Sequence, residues 1–171
     1  MYMNKGLKFR IYPNKIQKHL IDCTIGCTRL IFNTGLAFRE ESFKNGVSVG
    51  YKETSALLTS LKKTDEKVFL NDVDSIALQQ SLKDLDRAYK NFFKRLAKKP
   101  KFKAKHHSKM SYRTCNQSDT IRVSGNYIKL PKLGYVKFKN SVGEINNIKH
   151  VTVERRPSGK YFIVVNVEFE P

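Results

Sequence analysis

The stretch Leu7-Lys8-Phe9-Arg10-Ile11-Tyr12-Pro13-Asn14-Lys15-Ile16-Gln17 changes its periodicity at a single proline. Before Pro13, apolar Leu7, Phe9 and Ile11 alternate with Lys8, Arg10 and Tyr12, the period-two pattern of a strand with one buried face. Pro13 ends that strand. Asn14 then caps a helix, and Gln17, three residues on, reaches back in a box-like arrangement. Apolar residues continue at Ile16, Leu20, Cys23, Cys27, Leu30 and Ala37, which predicts one helical face. Gly26 lies inside this run, a point where it can divide into two helices joined by a tight turn, and Asn45-Gly46 terminates it.

Further along, Lys52 to Leu61 reads as a short helix followed by a polar link, Lys62 to Glu66. A longer helix starts at an Asp74 N-cap, with a stripe of Leu78, Leu82, Leu85, Tyr89, Phe92 and Leu96 that predicts a small bundle with the earlier helices. Pro100 is expected to end it. Lys94 to Arg113 contains no acidic residue and reads as an extended basic connector with Phe102 and Tyr112 interleaved. Beyond Asp119 the period returns to two. Thr120–Val123 and Tyr127–Leu130 form a hairpin about Ser124-Gly125-Asn126, and Tyr135–Phe138 is a strand. Lys149–Arg155 and Lys160–Phe169 pair across Pro157-Ser158-Gly159. About five strands here, added to the first, approach what a small closed barrel needs. The predicted class is therefore α+β: a barrel that begins with the first strand (1–12), is interrupted by a helical lobe with its basic connector (13–105), and resumes over 106–171.

Charge narrows the function classes. The chain carries 33 Lys+Arg against 15 Asp+Glu, net +18, a self-repulsion that a polyanionic partner would relieve. Hydrophobic residues at 40% supply a real core and argue against wholesale disorder. No apolar run approaches the roughly 20 residues of a spanning helix, and the first ten residues lack the apolar stretch of a signal peptide. Three cysteines, Cys23, Cys27 and Cys115, with no Cys-x-x-Cys pair, do not indicate a disulfide framework, so a reduced, cytoplasmic setting is expected.

Several segments resemble, in order, the TnpB/OrfB family of transposon proteins, relatives of type V CRISPR effector nucleases. They are Lys8 to Gln17, Gly26-Cys27-Thr28-Arg29-Leu30-Ile31-Phe32-Asn33, Ser75 to Phe93, Pro100-Lys101-Phe102-Lys103, Ser111-Tyr112-Arg113-Thr114, Ile128 to Gly134, and Pro157 to Tyr161. The resemblance implies a wedge-like β-barrel carrying an inserted, helix-turn-helix-like recognition lobe. It implies two partners: a guide RNA from the transposon end, and double-stranded DNA beside a short target-adjacent motif. In that family a RuvC-like nuclease follows, with three metal-binding carboxylates and usually a zinc ribbon. The sequence stops at Pro171, about where the family's linker to the nuclease would begin, and shows no Gly-x-Asp-x-Gly strand. The expectation is thus a binding portion that does not cut DNA by itself, with divalent metal and zinc confined to the nuclease half. Two rival readings are a stand-alone nuclease-less regulator that binds DNA or RNA, and a general basic RNA-binding protein.

Candidate contacts fall into groups. Lys94, Arg95, Lys98, Lys99, Lys101, Lys103, Lys105, Lys109 and Arg113 suit a phosphate track, since ordinary solvated faces mix signs. Phe102 and Tyr112 either stack on bases or pack inside the protein. Gln79 and Gln80 open the long helix, where the resemblance implies proximity to the target-adjacent motif; Gln can bond adenine bidentately, and it is also an ordinary surface helix former. Ser75 and Lys83 would support them on phosphates. Arg29 and Asn33 share a helix face and either touch nucleic acid or bond within the protein. Cys23 and Cys27 lie on the predicted apolar stripe and read as buried rather than metal-binding. His106-His107 with Cys115 makes a poor zinc set. Asp84 and Asp86 point to different helix faces and read as solvated. No catalytic constellation is visible.

Overall fold

The opening strand, β1 (Met3–Tyr12), is an interior strand of a seven-stranded sheet among the described residues. The structure is a computed structural model that describes residues 1–106 and 110–171. After β1 come helices α1 (Lys15–Lys44) and α2 (Tyr51–Leu61), a 3-10 turn (Val68–Asp72) and helix α3 (Ser75–Phe93). Strands β2 (Ser111–Cys115), β3 (Arg122–Ser124), β4 (Tyr127–Leu130), β5 (Gly134–Phe138), β6 (Ile148–Arg155) and β7 (Tyr161–Phe169) follow. The α+β class is as expected. The chain divides into two compact units, Met1–Ile25 with Met110–Pro171, and Gly26–Lys109.

In the first unit the strand order is β2-β6-β7-β1-β5-β4-β3, antiparallel throughout. The sheet is open, which corrects the expected closed barrel. Closure requires the first and last strands to pair, and among the described residues β2 pairs only with β6 and β3 only with β4. Strand β2 also corrects the reading of Ser111–Arg113 as connector: it alternates half-buried Ser111, Arg113 and Cys115 with buried Tyr112 and Thr114. Register makes the sheet two-faced. Phe9 and Ile11 share the inner face with Tyr112, Val136, Phe138, Val153, Tyr161 and Ile163, all buried. Phe9 meets Phe138 edge-on at 5.2 Å. The hairpin turn between β3 and β4 uses Gly125 at φ 58°, and the β6–β7 turn uses Gly159 at φ 84°, both in the region that favours glycine.

The start of α1 is chemically specified. Gln17 N–H donates to Asn14 Oδ1 at 2.8 Å and Asn14 N–H donates to Gln17 Oε1 at 2.9 Å, a reciprocal capping box. The remaining polar end of buried Gln17 donates from Nε2 to the carbonyls of Leu133 (3.1 Å) and Tyr135 (2.8 Å), tying helix to sheet. Asp22 accepts from Tyr161 O–H at 3.0 Å and pairs with Arg155 at 3.2 Å. Burial, together with Asp22, raises the Tyr161 pKa.

Two expectations about α1 fail. The helix runs unbroken through Gly26, because one interior glycine costs only about 1 kcal/mol and no cap or proline accompanies it. Its buried face is also rotated from the predicted stripe. Ile21, Thr24, Ile25, Cys27, Ile31, Phe32 and Leu36 are buried, whereas Ile16 and Ala37 are exposed. Cys27 is buried, and Cys23 is half-buried with its Sγ 3.5 Å from His19 Nε2.

In the second unit Asp74 caps α3, its Oδ1 accepting from Ile76 and Ala77 N–H. Ala77, Leu78, Ser81, Leu82, Leu85 and Tyr89 are buried, and Phe32, Leu36, Leu85 and Tyr89 form one cluster. Gly35 lets α1 and α3 approach: a Cβ there would lie 2.9 Å from Leu82 and 3.0 Å from Leu85. Asp86 is not the solvated group expected. It receives Arg39 at 3.0 Å and Lys90 at 3.1 Å. Burial pushes its carboxyl pKa up, but the hydrogen bonds from Lys90 and Arg39 outweigh that and hold it below the ordinary value. Asp84 pairs with Arg87.

Helix α3 stops at Phe93, seven residues short of Pro100. Leu96 N–H returns to Asn91 O at 2.9 Å and Arg95 N–H to Phe92 O at 3.0 Å, a Schellman end with Arg95 at φ 61° where glycine is usual. Phe92 is consequently half-buried and Leu96 exposed.

Candidate nucleic-acid interface

The basic run after α3 is solvent-facing where it is described. Lys94, Arg95, Lys98, Lys99, Lys101, Lys103 and Lys105 are all exposed; Lys109, like His107, lies outside the described residues. Among the described residues, Lys94, Arg95, Lys98, Lys101 and Lys105 make no ion pair, while Lys99 reaches Glu40 at 3.5 Å. Lys103 places its ammonium 4.1 Å from the Phe32 ring centroid, and desolvation lowers its pKa, an effect the Asp84 charge opposes. Phe102 is exposed and available to stack on a base. Tyr112 is not: its ring is 4% exposed on the inner face of the sheet, so the packing alternative is the one realised.

Asn33 is half-buried and bonded within the protein. Its Oδ1 accepts from Lys103 N–H at 2.7 Å and its Nδ2 donates to Lys103 O at 2.9 Å, which occupies both ends of the amide on backbone. Of the two alternatives for Asn33, the internal hydrogen bond holds. Arg29 is half-buried four residues earlier on α1.

At the start of α3, Ser75 and Lys83 are exposed and Gln79 and Gln80 half-buried. Gln79 Oε1 accepts from Tyr51 O–H at 2.7 Å and from Ser55 Oγ at 3.1 Å. With its carbonyl doubly engaged, Gln79 offers only its NH2, so in this state it cannot make the two-point adenine contact that needs both ends of the amide. Lys83 lies 5.6 Å from the Tyr51 ring centroid. Tyr51 and Ser55 thus belong to this polar cluster, and sequence reading missed them because their link to Gln79 is made only when α2 folds onto α3.

Sequence reading also missed the outer face of the sheet. Register places Lys8, Arg10, Tyr12 and Phe162 on it, with Lys137 opposite Tyr12 and also opposite Tyr127, and Lys129 opposite both Tyr135 and Arg122. Tyr12, Tyr127 and Tyr135 are exposed. Arg10 stacks over Tyr12 at 5.0 Å, and Lys8 and Arg156 lie over Phe162 at 5.2 and 5.3 Å. Half-buried Arg113, opposite Thr152, joins the face from β2. Among the described residues two acids share the face: Glu154 lies between Lys8 and Arg156, and Glu168 pairs with Lys149 at 3.4 Å. Cations interleaved with aromatics in this way can hold both phosphates and bases. The alternation was visible in the sequence, but it was read only for the buried side.

Among the described residues no group of three or more His, Cys, Asp or Glu side chains is placed to hold a metal ion, and no helix is long and apolar enough to cross a membrane.

Residues 1–47 match the helix-turn-helix domain model of the OrfB/IS605 proteins, although here they fold as one strand, one unbroken helix and the turn after it. Two relatives bear the name "Putative RNA-guided DNA endonuclease". InsQ of Escherichia coli (strain K12) is 35% identical over 175 residues, 97% of this chain and 41% of that protein. The Streptomyces pristinaespiralis protein is 32% identical over 165 residues, 94% of this chain and 40% of its own. Virulence protein VsdF of Salmonella dublin is 32% identical over 114 residues, 61% of this chain and 96% of VsdF. The chain therefore spans about two fifths of the length of the two endonuclease-named relatives. With the helix-turn-helix match at its start and these relatives aligned over nearly all of it, the chain belongs to the TnpB/OrfB family and corresponds to the N-terminal half of its longer members.

Proposed function

We propose that this chain is the nucleic-acid-binding portion of a transposon-associated, RNA-guided DNA nuclease. The outer face of the sheet takes guide RNA. The start of α3, with Tyr51, Ser55, Ser75, Gln79, Gln80 and Lys83, takes duplex DNA beside a target-adjacent motif. Cleavage belongs to the part of the longer relatives that this chain does not span. The observation that carries the reading is the exposed segment Lys94–Lys105, where five cations have no ionic partner among the described residues. A fold that tolerates such crowding gains from releasing counterions when phosphates replace them.

The test is a binding titration against salt. Six phosphate contacts give a slope of log K against log salt of about −5 on duplex DNA, and a flat response overturns the electrostatic reading. Sequencing RNA that co-purifies with the chain then separates the finer alternatives. Enrichment in one transposon-end transcript supports guide binding, and an unselected mixture supports a general basic RNA binder.

A second reading is favoured by VsdF, which this chain covers almost end to end. On that reading the region works as a stand-alone binder that positions or represses on DNA without a nuclease. An unrelated gene directly downstream supports it, and a Gly-x-Asp-x-Gly strand continuing the frame supports the first.

A further inference from the structure

The second unit carries a half-open groove of about 460 Å³ where α1 ends and α3 ends. Its apolar lining is Phe43, Val47, Val49, Tyr89, Phe92 and Phe93. Phe43 is 74% exposed and Phe93 65%, so these rings contribute little to the core and leave apolar surface in water. Neither belongs to the polar cluster at the start of α3 or to the sheet. The polar lining includes Arg39, Glu40, Lys44 and Lys99. Arg39 is held by Asp86 and lies 4.1 Å over the Tyr89 ring, so it braces the groove from behind. Lys99 holds Glu40, and Lys44 makes no ion pair among the described residues.

We infer that this groove receives one unstacked base of single-stranded RNA, an inference that rests on the nucleic-acid reading above and gives it a second, base-binding site. Three observations favour a nucleotide over a protein segment. The volume is at the small end of the roughly 300–1,000 Å³ of ligand sites, too short for a helix face. Phe92 and Phe93 stand directly before Lys94 and Arg95, so a strand whose phosphates follow the basic run arrives with a base beside Phe93. The rim is cationic where a backbone would pass, at Lys44 and Lys99, and the lining's anionic acceptor among the described residues is the Glu40 carboxylate. Both helices end here, and the negative ends of their dipoles disfavour an anion. The phosphate therefore stays on the lysines, while the base turns an exocyclic amine inward. Cytosine, adenine and guanine have that amine; uracil does not.

The experiment measures fluorescence anisotropy of the full chain with labelled 12-mers of oligo-cytidine and oligo-uridine at fixed salt and neutral pH. Phe43→Ala and Phe93→Ala each weaken oligo-cytidine binding about tenfold, the scale of one lost base stack, with the salt slope unchanged because no charge is removed. Phe93→Trp restores affinity, and Phe69→Ala, an exposed ring outside the groove, has no effect. Wild-type protein prefers oligo-cytidine about fivefold, and Glu40→Ala abolishes the preference. Salt-dependent binding that is indifferent to Phe43 and Phe93 overturns the groove site and leaves the wider reading standing. Absence of any salt-dependent binding by the wild type overturns the wider reading instead. A wild type that binds both oligomers equally, with the phenylalanine effects intact, removes the amine selectivity and reduces the groove to a stacking site.

Discussion

Asn33 holds the backbone of Lys103 by both ends of its amide, accepting at 2.7 Å and donating at 2.9 Å across 70 residues of sequence. The basic segment after α3 is therefore fastened to α1 at one defined point. Asn33→Ala removes both bonds at a solvent-accessible site, a loss of about 1 kcal/mol. Hydrogen exchange at the Lys103 amide should accelerate while amides in the middle of α3 keep their protection. Equal acceleration in α3 would mean that the clamp supports the whole unit and not the segment alone.

The Gln17 side chain joins the start of α1 to the loop and strand at Leu133 and Tyr135. Gln17→Ala breaks the capping box and leaves the carbonyls of Leu133 and Tyr135 without their helix donor, a cost of about 2–3 kcal/mol. Gln17→Glu keeps the acceptor for Asn14 N–H but cannot donate, so it recovers only the cap. Urea denaturation midpoints should rank wild type above Glu and Glu above Ala.

Arg95 sits at φ 61°, a conformation in which a side chain costs about 1 kcal/mol relative to glycine. Arg95→Gly should raise the melting temperature and at the same time make the salt slope of nucleic-acid binding shallower by about one. A gain in stability with no change in slope would remove Arg95 from the phosphate track.

His150 ties stability to pH. Burial, assisted by the Arg113 charge, lowers its pKa below 6.5. Its Nδ1 is buried without a hydrogen-bond partner among the described residues. The folded imidazole therefore binds a proton less readily than the unfolded one. Its contribution is complete above the unfolded value and is lost as pH falls through 6.5 toward the folded pKa. His150→Gln should flatten the stability profile in that window, and an unchanged profile would show that the proton is taken up without penalty.

Local chemistry was legible in the sequence where one residue type fixes one geometry. Asn14 with Gln17, Asp74 as a cap, and Gly125 and Gly159 in turns all stand where the reading put them. What failed depended on partners distant in sequence. The phase of α1 could not be read because Ile16, Leu20, Ile21, Ile25, Leu30 and Ile31 surround the helix, and only packing chooses among them. Strand β2 was hidden by the neighbouring lysines, and the open ends of the sheet follow from which strands never meet. At the site, residue types alone mark the basic run and the start of α3 as candidates. For Asn33 and Tyr112 the sequence left an internal role and a nucleic-acid contact both open, because their partners, the Lys103 backbone and the sheet interior, appear only in the folded chain.

The position of β1 sets a delay on synthesis. Both of its neighbours, β5 and β7, are translated long after it, since Met3 pairs with Phe169 and Ile11 with Phe138. At roughly 5–20 residues per second, a ribosome needs on the order of 10–30 s between making β1 and completing β7. Until β5 is made, Phe9 and Ile11 have no sheet to enter, and a nascent chain stalled before it would expose an apolar ribbon to chaperones and proteases.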